Sequence, residues 1–466
     1  MNDVKSAFSV LLFTLVLYCC PGCFMPSACG QLPAFVPAEE NNALLSTLSI
    51  KSEQLYKEDL AKLPAANRKD YEDIYKSRWD NIKNVFEKKE IYTSATAQHY
   101  LDALVKEIVR NNPALQQSDF HCYFSRSGVP NASYIGEGII LFNMGLFMQL
   151  RNENEAAFVL CHEMAHYYLR HSERSIEQYV ANMNSKEMQA ALRKIKKSEF
   201  GKREQLEKLM KGFTFNSRRH TRDHESQADS MAIEFLRNTR FDKRGALSVL
   251  ALLDNIDQDT LNTGACLRQL FNAEKYPFKD KWIARQSGLL GGHAILEKDK
   301  VLEDSLKTHP DCQKRIRLLE PLVTAYTDVN ADASVIDKKK FDSLKHIFRY
   351  EVIEYAFRND NYTLSLYYTI SLLQQYPRDA YLVTQVGKML NSCFDAQRGH
   401  VLGKKIELPS PGESPAYNVL LQFVQNLYLE DYAGISYYYL LARQDQCRDY
   451  QPFNNELKKS RQLLTQ

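Results

Sequence analysis

Two histidines four residues apart with a glutamate beside the first, His162, Glu163 and His166 in the run CHEMAH, have a spacing that can do metal chemistry. On an α-helix a four-residue step returns side chains to one face about one turn apart, so both imidazoles can reach a single ion. Glu163 leans over the same spot and can take a proton from a water held there. A catalytic ion of this kind takes a third protein ligand and keeps one position open. Further along, the run Glu225-Ser226-Gln227-Ala228-Asp229 offers two carboxylates on one helical face. Glu225 can complete a two-histidine, one-glutamate set. Asp229, one turn later, can accept a hydrogen bond from a ligand imidazole and fix its tautomer. Read alone, the pair is a solvated acidic helix face; beside the histidine motif it is a candidate ligand with its support.

These groups need two helices and a scaffold. Glu153 to about His171 has no Gly or Pro, acids in its first turn and bases in its last, so the helix dipole is matched at both ends. A second helix is expected from about Arg222 to Leu236. Phe120 to Phe124 is aromatic-rich and Gly136 to Phe142 is a β-branched run introduced by glycines, which predicts two strands. Gly138 to Phe142 reads either as an edge strand, which an extended peptide could join near Gly138 and Ile139, or as an ordinary hairpin arm. Between Ala43 and Arg110 apolar residues such as Leu101, Leu104, Val105 and Ile108 recur at helical spacing, and several amphipathic helices are expected. Residues 173–214 are polar and lysine-rich and read as a solvated helical excursion rather than a nucleic-acid patch. Gly288 to Gly292 reads as a flexible loop, and His309-Pro310 opens a further helix. On continuous helices His171, His224 and Cys161 turn away from the ligand face, to the surface or to a layer behind the site. His293 stays an open assignment.

The chain has 466 residues, 25% charged and 44% hydrophobic, with a net charge of +3. That balance gives no reason to expect a nucleic-acid binder, and a mean hydropathy of −0.43 excludes a polytopic membrane protein. The one long apolar run, Ala7 to Tyr18 after Lys5, is short for a bilayer span and reads as the core of an export signal cleaved after Gly30. The mature chain then starts at Gln31, with no transmembrane span, in the periplasm or elsewhere in the cell envelope. Lipid anchoring at Cys19, Cys20, Cys23 or Cys29 is the less favoured route, because Tyr18 before Cys19 and Cys20-Pro21-Gly22 before Cys23 make a poor lipobox. Cys122, Cys161, Cys266, Cys312, Cys393 and Cys447 remain after cleavage. Export permits disulfides among them; six free buried thiols are the alternative.

Beyond about Asp342 a pattern repeats. Asn361-Tyr362, Tyr367-Tyr368 and Arg378-Asp379 recur as Asp431-Tyr432, Tyr437-Tyr438 and Arg448-Asp449, an offset of 70 residues. Half of that is close to the tetratricopeptide period of about 34. The expected organisation is a signal peptide (1–30), a spacer (31–42), a zinc metallopeptidase domain (43–340) and a helical, tetratricopeptide-like domain (341–466); an unrelated helical domain is the other reading of the last. The fold class is mainly α with a small β-sheet, α+β.

On these residues the chain resembles the HtpX-type and CAAX-protease-like zinc metalloendopeptidases, in which HExxH is followed by ExxxD. The likeness runs roughly from Tyr92 to Leu322. Besides the two motifs it includes Asn131-Ala132, Gly138 to Leu141, Gly145-Leu146, Asn154 to Ala157, Thr221-Arg222, and His309-Pro310 with Arg315. The resemblance implies a gluzincin-like catalytic domain that holds one Zn²⁺ per chain through His162, His166 and Glu225, with Glu163 as base and Asp229 behind. It also implies that His309 approaches the ion, as an oxyanion donor or a displaceable fourth ligand, and that Arg315 positions it or acts as a second donor. Asn131 would shape the substrate cleft, although Asn131-Ala132-Ser133 also fits a glycosylation sequon. The branch it is most similar to is exported, soluble and followed by tetratricopeptide-like repeats. The expected function is hydrolysis of extended or unfolded proteins in envelope quality control, with the C-terminal helices docking the protein substrate or an envelope complex. The competing reading is a chaperone-like binding or assembly factor with latent or secondary proteolysis, against which the intact Glu163 argues.

Overall fold

A computed structural model of the protein describes residues 35–198, 201–256, 261–284, 312–325, 334–410 and 412–465. The signal segment, the first part of the spacer, the Gly288–Gly292 loop, His293 and His309 lie outside the described residues. Strands β1 (His121–Ser125), β2 (Ala132–Gly136) and β3 (Ile139–Asn143) form one sheet in the order β1-β3-β2. β1 runs parallel to β3, and β2 antiparallel to it. Ile140 and Phe142 face the main core. Ile139 and Leu141 face a smaller cluster built with Leu45, Ile82 and Phe86. This is the two-residue alternation of a strand covered on both sides.

The sequence predicts two of these strands. β2 escapes it because Ala132-Ser133 follows the turn-like Pro130-Asn131, leaving only Tyr134 and Ile135 with strong strand preference. The strand predicted from Gly136 starts later, at Ile139. Gly136, Glu137 and Gly138 all have positive φ (108°, 46° and 71°) and make the hairpin turn. A Cβ on Gly138 would stand 2.3 Å from the carbonyl oxygen of Asp119. The edge-strand reading of Gly138 to Phe142 is therefore corrected. β3 is central, paired on both sides, so Gly138 and Ile139 have no free backbone for a substrate chain. The edge is β2.

The expected N-terminal helices are α1 (Asn42–Lys62), α2 (Arg68–Glu87) and α3 (Ala95–Arg110). After the sheet, α4 (Met144–Gln149) leads to α5 (Glu153–Tyr168), whose N-cap Asn152 accepts a hydrogen bond from the amide of Glu155. The helix predicted to reach His171 stops at Tyr168, because Arg170 adopts a left-handed conformation with φ 54°. A new helix, α6 (His171–Met183), then starts, followed by α7 (Lys186–Lys197), which buries no residue. The helix predicted near Arg222 is the C-terminal part of the 36-residue α8 (Lys202–Arg237), which packs along α5. α9 (Arg244–Leu253), α10 (Thr263–Phe271) and α11 (Cys312–Ala325) follow, and α11 packs on both α8 and α9.

The C-terminal helices are α12 (Lys338–Arg358), α13 (Tyr362–Leu373), α14 (Ala380–Arg398), α15 (Pro415–Asn426), α16 (Leu429–Leu441), α17 (Gln444–Cys447) and α18 (Gln451–Leu463). The recurring tyrosine pairs fall in α13 and α16. α12 serves two cores: Phe341, Leu344 and Phe348 pack with the sheet and α5, and Tyr350 and Ile353 pack with the helices that follow. Leu267, Phe271 and Trp282 also belong to that second core. Glu153, 1% exposed at the start of α5, accepts hydrogen bonds from the amides of Val335, Ile336 and Asp337 at 2.7, 2.9 and 2.8 Å, and from the Tyr100 hydroxyl at 2.9 Å. One buried carboxylate thus anchors the chain entering α12. Cys122, Cys161, Cys266, Cys312, Cys393 and Cys447 are buried and unbridged, the free-thiol alternative. Among the described residues no helix is long and apolar enough to cross a membrane.

Candidate active site

α5 carries His162 and His166 one turn apart, and α8 brings Glu225 against them. The two Nε2 atoms are 3.1 Å apart, and the Glu225 oxygens lie 3.4 Å from each. These three residues offer ligand atoms within 4.8 Å of one another, a set that could hold one metal ion. The donor chemistry fits a cation. Burial opposes a charge on His162, yet Asp229 and Glu225 outweigh it and lift the imidazole to about 10. Burial also opposes ionisation of Glu225, but His162 and His166 hold its carboxyl well below the usual carboxylate range. A site that stabilises positive charge this strongly in the form of a proton can exchange that proton for a metal.

Glu163, 9% exposed, accepts a 2.8 Å hydrogen bond through Oε2 from the amide of Tyr134 on β2. Burial pushes its carboxyl above the ordinary value, against the pull of His162 and His166. The edge strand therefore aims the Glu163 carboxylate. Because the Asn131 carbonyl accepts the amide of Asn143 on the β3 side, strand alternation turns the backbone groups of Ala132 and Tyr134 outward toward the site. The cavity there holds about 400 Å³, and its walls include Asn131, Ala132, Ser133, Tyr134, Phe158 and Leu253 together with the ligand residues.

Behind the ligands stands a layer of charge. His162 Nδ1 lies 2.9 Å from Asp229 Oδ1, which leaves Nε2 as the ring's free lone pair. Arg315, 5% exposed on α11, grips Asp229 with Nε and Nη2, both at 2.7 Å, and reaches Glu225 with Nη1 at 3.3 Å. Burial works against the Asp229 carboxylate, but Arg315 and His162 keep its carboxyl below the ordinary range. The expected relation of Arg315 to His309 lies outside the described residues; what the structure shows is Arg315 on Asp229 and Glu225. Its guanidinium is already committed to two carboxylates and acts through them.

The sequence places His171 at the surface or in a layer behind the site, and the helix break at Arg170 puts it in that layer. On an unbroken helix a five-residue step points off the ligand face. The restart of α6 instead swings His171 back, 3% exposed, with its Nδ1 3.0 Å from His166 Nδ1 and its Nε2 3.3 Å from Gln227 Oε1. One tautomer chain satisfies all three. His166 donates Nδ1–H to His171 Nδ1, and His171 donates Nε2–H to the Gln227 amide oxygen, which leaves His166 Nε2 free for an ion. Burial, with His166 and His224 nearby, drops the His171 pKa to about 4, so the ring is a neutral acceptor at physiological pH. His224 stacks on it, with ring centres 4.2 Å apart. Gln227 and the Tyr134 amide are the site groups that sequence reasoning missed; the contact of His171 with His166 was signalled only by their proximity in sequence. His171→Phe keeps the ring but removes the acceptor. It is expected to weaken metal binding about 10–100-fold, as measured by competition with a chromophoric chelator.

The structure thus brings His162, Glu163, His166, Glu225, Asp229 and Arg315 together, with Asn131 on the cavity wall. It leaves Gly138 and Ile139 out. Residues 95–323, which contain all of the clustered groups, match the model of peptidase family M48. No curated protein matches the chain. With the ligand geometry described above, that match assigns residues 95–323 of this chain to peptidase family M48, a family of metallopeptidases.

Proposed function

We propose that the protein is a zinc-dependent metalloendopeptidase, exported to the cell envelope, that hydrolyses peptide bonds in extended or unfolded proteins as part of quality control. The observation that carries this is the Glu163 carboxylate, held on the outward amide of edge strand β2 beside the convergent His162, His166 and Glu225. Two imidazoles and one carboxylate with an open side suit zinc. When bound, zinc supplies a Lewis acid that polarises the peptide carbonyl and eases deprotonation of water. Glu163 takes the proton from the attacking water and later gives it to the leaving amine nitrogen. Tyr134 keeps that carboxylate in place, and Asp229, Arg315 and His171 keep the imidazoles in the right tautomers. Ala132 and its neighbours on β2 present backbone groups that an extended chain can pair with, and a folded substrate cannot offer such a strand. Export rests on Lys5 and the Ala7–Tyr18 run, with lipid anchoring as the lesser route. The repeat pattern in α13 and α16 supports a tetratricopeptide-like docking role for the C-terminal helices.

The test is metal analysis paired with digestion. The purified protein, stripped with chelator and reloaded, is expected to bind one zinc per chain and to cut reduced, carboxymethylated protein far faster than the same protein folded. A zinc-loaded enzyme that cuts neither, or a Glu225→Ala variant that still binds zinc with unchanged affinity, would sink the reading.

A further inference from the structure

A second cavity, of about 660 Å³, begins where the first ends, for Tyr134 lines both. It passes the hairpin turn at Glu137 and Gly138 and is walled by residues of α1, α2 and α6. Tyr71, Tyr75, Tyr134, Tyr167 and Tyr168 line it, with the rings of Tyr134 and Tyr167 edge to face and 5.4 Å apart. Carboxylates stand among these rings: Asp59 on α1, Glu137 in the turn, and Glu173 and Glu177 on α6.

Two of those carboxylates have unused capacity. Glu137 is 5% exposed; its Oε1 accepts from Arg78 Nη2 at 2.8 Å, but its buried Oε2 has no hydrogen-bond donor. Glu173 Oε2 is also buried without a donor. The cations nearby are already engaged or at the rim. Arg78 gives Nη2 to Glu137 and Asp59 and lies over the face of Tyr75, while its Nε and Nη1 are buried without a partner. Lys62 lies 3.6 Å from Asp59, and Asp119 on the opposite wall is met by Lys51. Arg170 offsets one of the remaining charges, so Glu173 and Glu177 leave the cavity negative.

Buried carboxylate oxygens without donors, ringed by tyrosine faces, suit one kind of guest. A long cationic side chain can lay its aliphatic stem across the rings, gain cation–π attraction, and place its charged donors on the oxygens. Position relative to the chemistry then decides what brings that side chain. Glu137 sits in the turn just past the end of β2, three residues after Tyr134. A polypeptide paired with β2, its scissile bond opposite Glu163 and Tyr134, therefore carries a side chain two to four residues away over the second cavity. We infer that this cavity is a specificity subsite for a lysine or arginine side chain of the substrate, with Glu137 and Glu173 reading its charge. The inference rests on the peptidase reading of the adjoining site.

The test separates binding from cleavage. Fluorescent unstructured peptides carrying one lysine, moved a position at a time, are titrated into zinc-loaded Glu163→Gln protein and compared with norleucine counterparts. At one register the lysine peptide is expected to bind about tenfold tighter, as a desolvated charge-assisted contact allows. That difference should fall below about twofold when Glu173→Gln is added, and shrink at high salt. In parallel, the wild type digests reduced protein and the cut sites are read by mass spectrometry, with basic residues expected to be enriched at one fixed distance from the bond. Equal affinities at every register overturn the inference, as do cut sites with no basic preference. A lysine preference in binding with no cleavage by the zinc-loaded wild type would instead count against the peptidase reading and leave the cationic subsite standing.

Discussion

Glu163→Gln is expected to retain one zinc per chain and to cut unfolded protein about 10²–10⁴-fold more slowly than the wild type, the range that a positioned acid–base group contributes. The substitution is nearly isosteric. A glutamine oxygen can still accept the Tyr134 amide, so the 2.8 Å contact that aims the side chain survives. What disappears is the basic lone pair. Metal content and melting temperature report whether the site is intact, and kcat reports the lost proton transfer. The pH profile adds a sign. Burial raises the Glu163 carboxyl above its ordinary value of 4.5, and the base must be ionised to act. Wild-type activity should therefore fall on the acid side through a midpoint above that value, and the acid limb should be missing from the residual rate of the variant. A variant that kept most of the rate would remove Glu163 from the mechanism. In cells, full function of Glu163→Gln would favour the binding or assembly role.

Arg315→Met is expected to cost about 3–5 kcal/mol of folding stability, because it strands the Asp229 carboxylate, 1% exposed, and leaves Glu225 short of a partner. Metal affinity should fall about 10–100-fold as well, since the support that fixes the His162 tautomer loosens. Adding Asp229→Leu should recover much of the stability but none of the metal affinity, because well-packed apolar groups replace a buried ion pair cheaply but cannot orient an imidazole. Acid sensitivity follows from the same contacts. Asp229 and Glu225 have folded pKa values depressed below their ordinary 3.8 and 4.5. Their contribution is thus fully present above those values and is lost as pH falls through the depressed ones. Without Arg315 the depression shrinks, and the metal-free variant should begin to lose this contribution at a higher pH. Denaturant titrations with and without zinc measure both effects, and a single variant within about 1 kcal/mol of wild type would show that Arg315 is peripheral.

The ligand set was legible because its physics is local or nearly so. Four-residue spacing on a helix fixes the relation of His162 to His166, and charge type singles out Glu225 and Asp229 one turn apart. What escaped depends on single backbone conformations. A left-handed Arg170 redirects His171, and nothing in the surrounding residues announces it, since arginine has no preference for that region. Likewise the three positive φ values at Gly136, Glu137 and Gly138 convert one predicted strand into a turn and make β3 central. Both glycines were visible, but strand order depends on partners distant in sequence, such as the parallel pairing of His121 to Ser125 with β3. Arg315 was legible as a site residue by resemblance alone. Its actual partners lie on another helix, at a separation that no periodicity encodes.

The shared helix α12 has a mechanical consequence. With Phe341, Leu344 and Phe348 packed beside the sheet, Tyr350 and Ile353 in the C-terminal core, and Glu153 clamping the backbone at 335–337, the connection is a strut and not a tether. A polypeptide gripped by the C-terminal helices would meet the cleavage site at a set contour length from the grip. The molecule would then work as a ruler, measuring where along a chain it cuts.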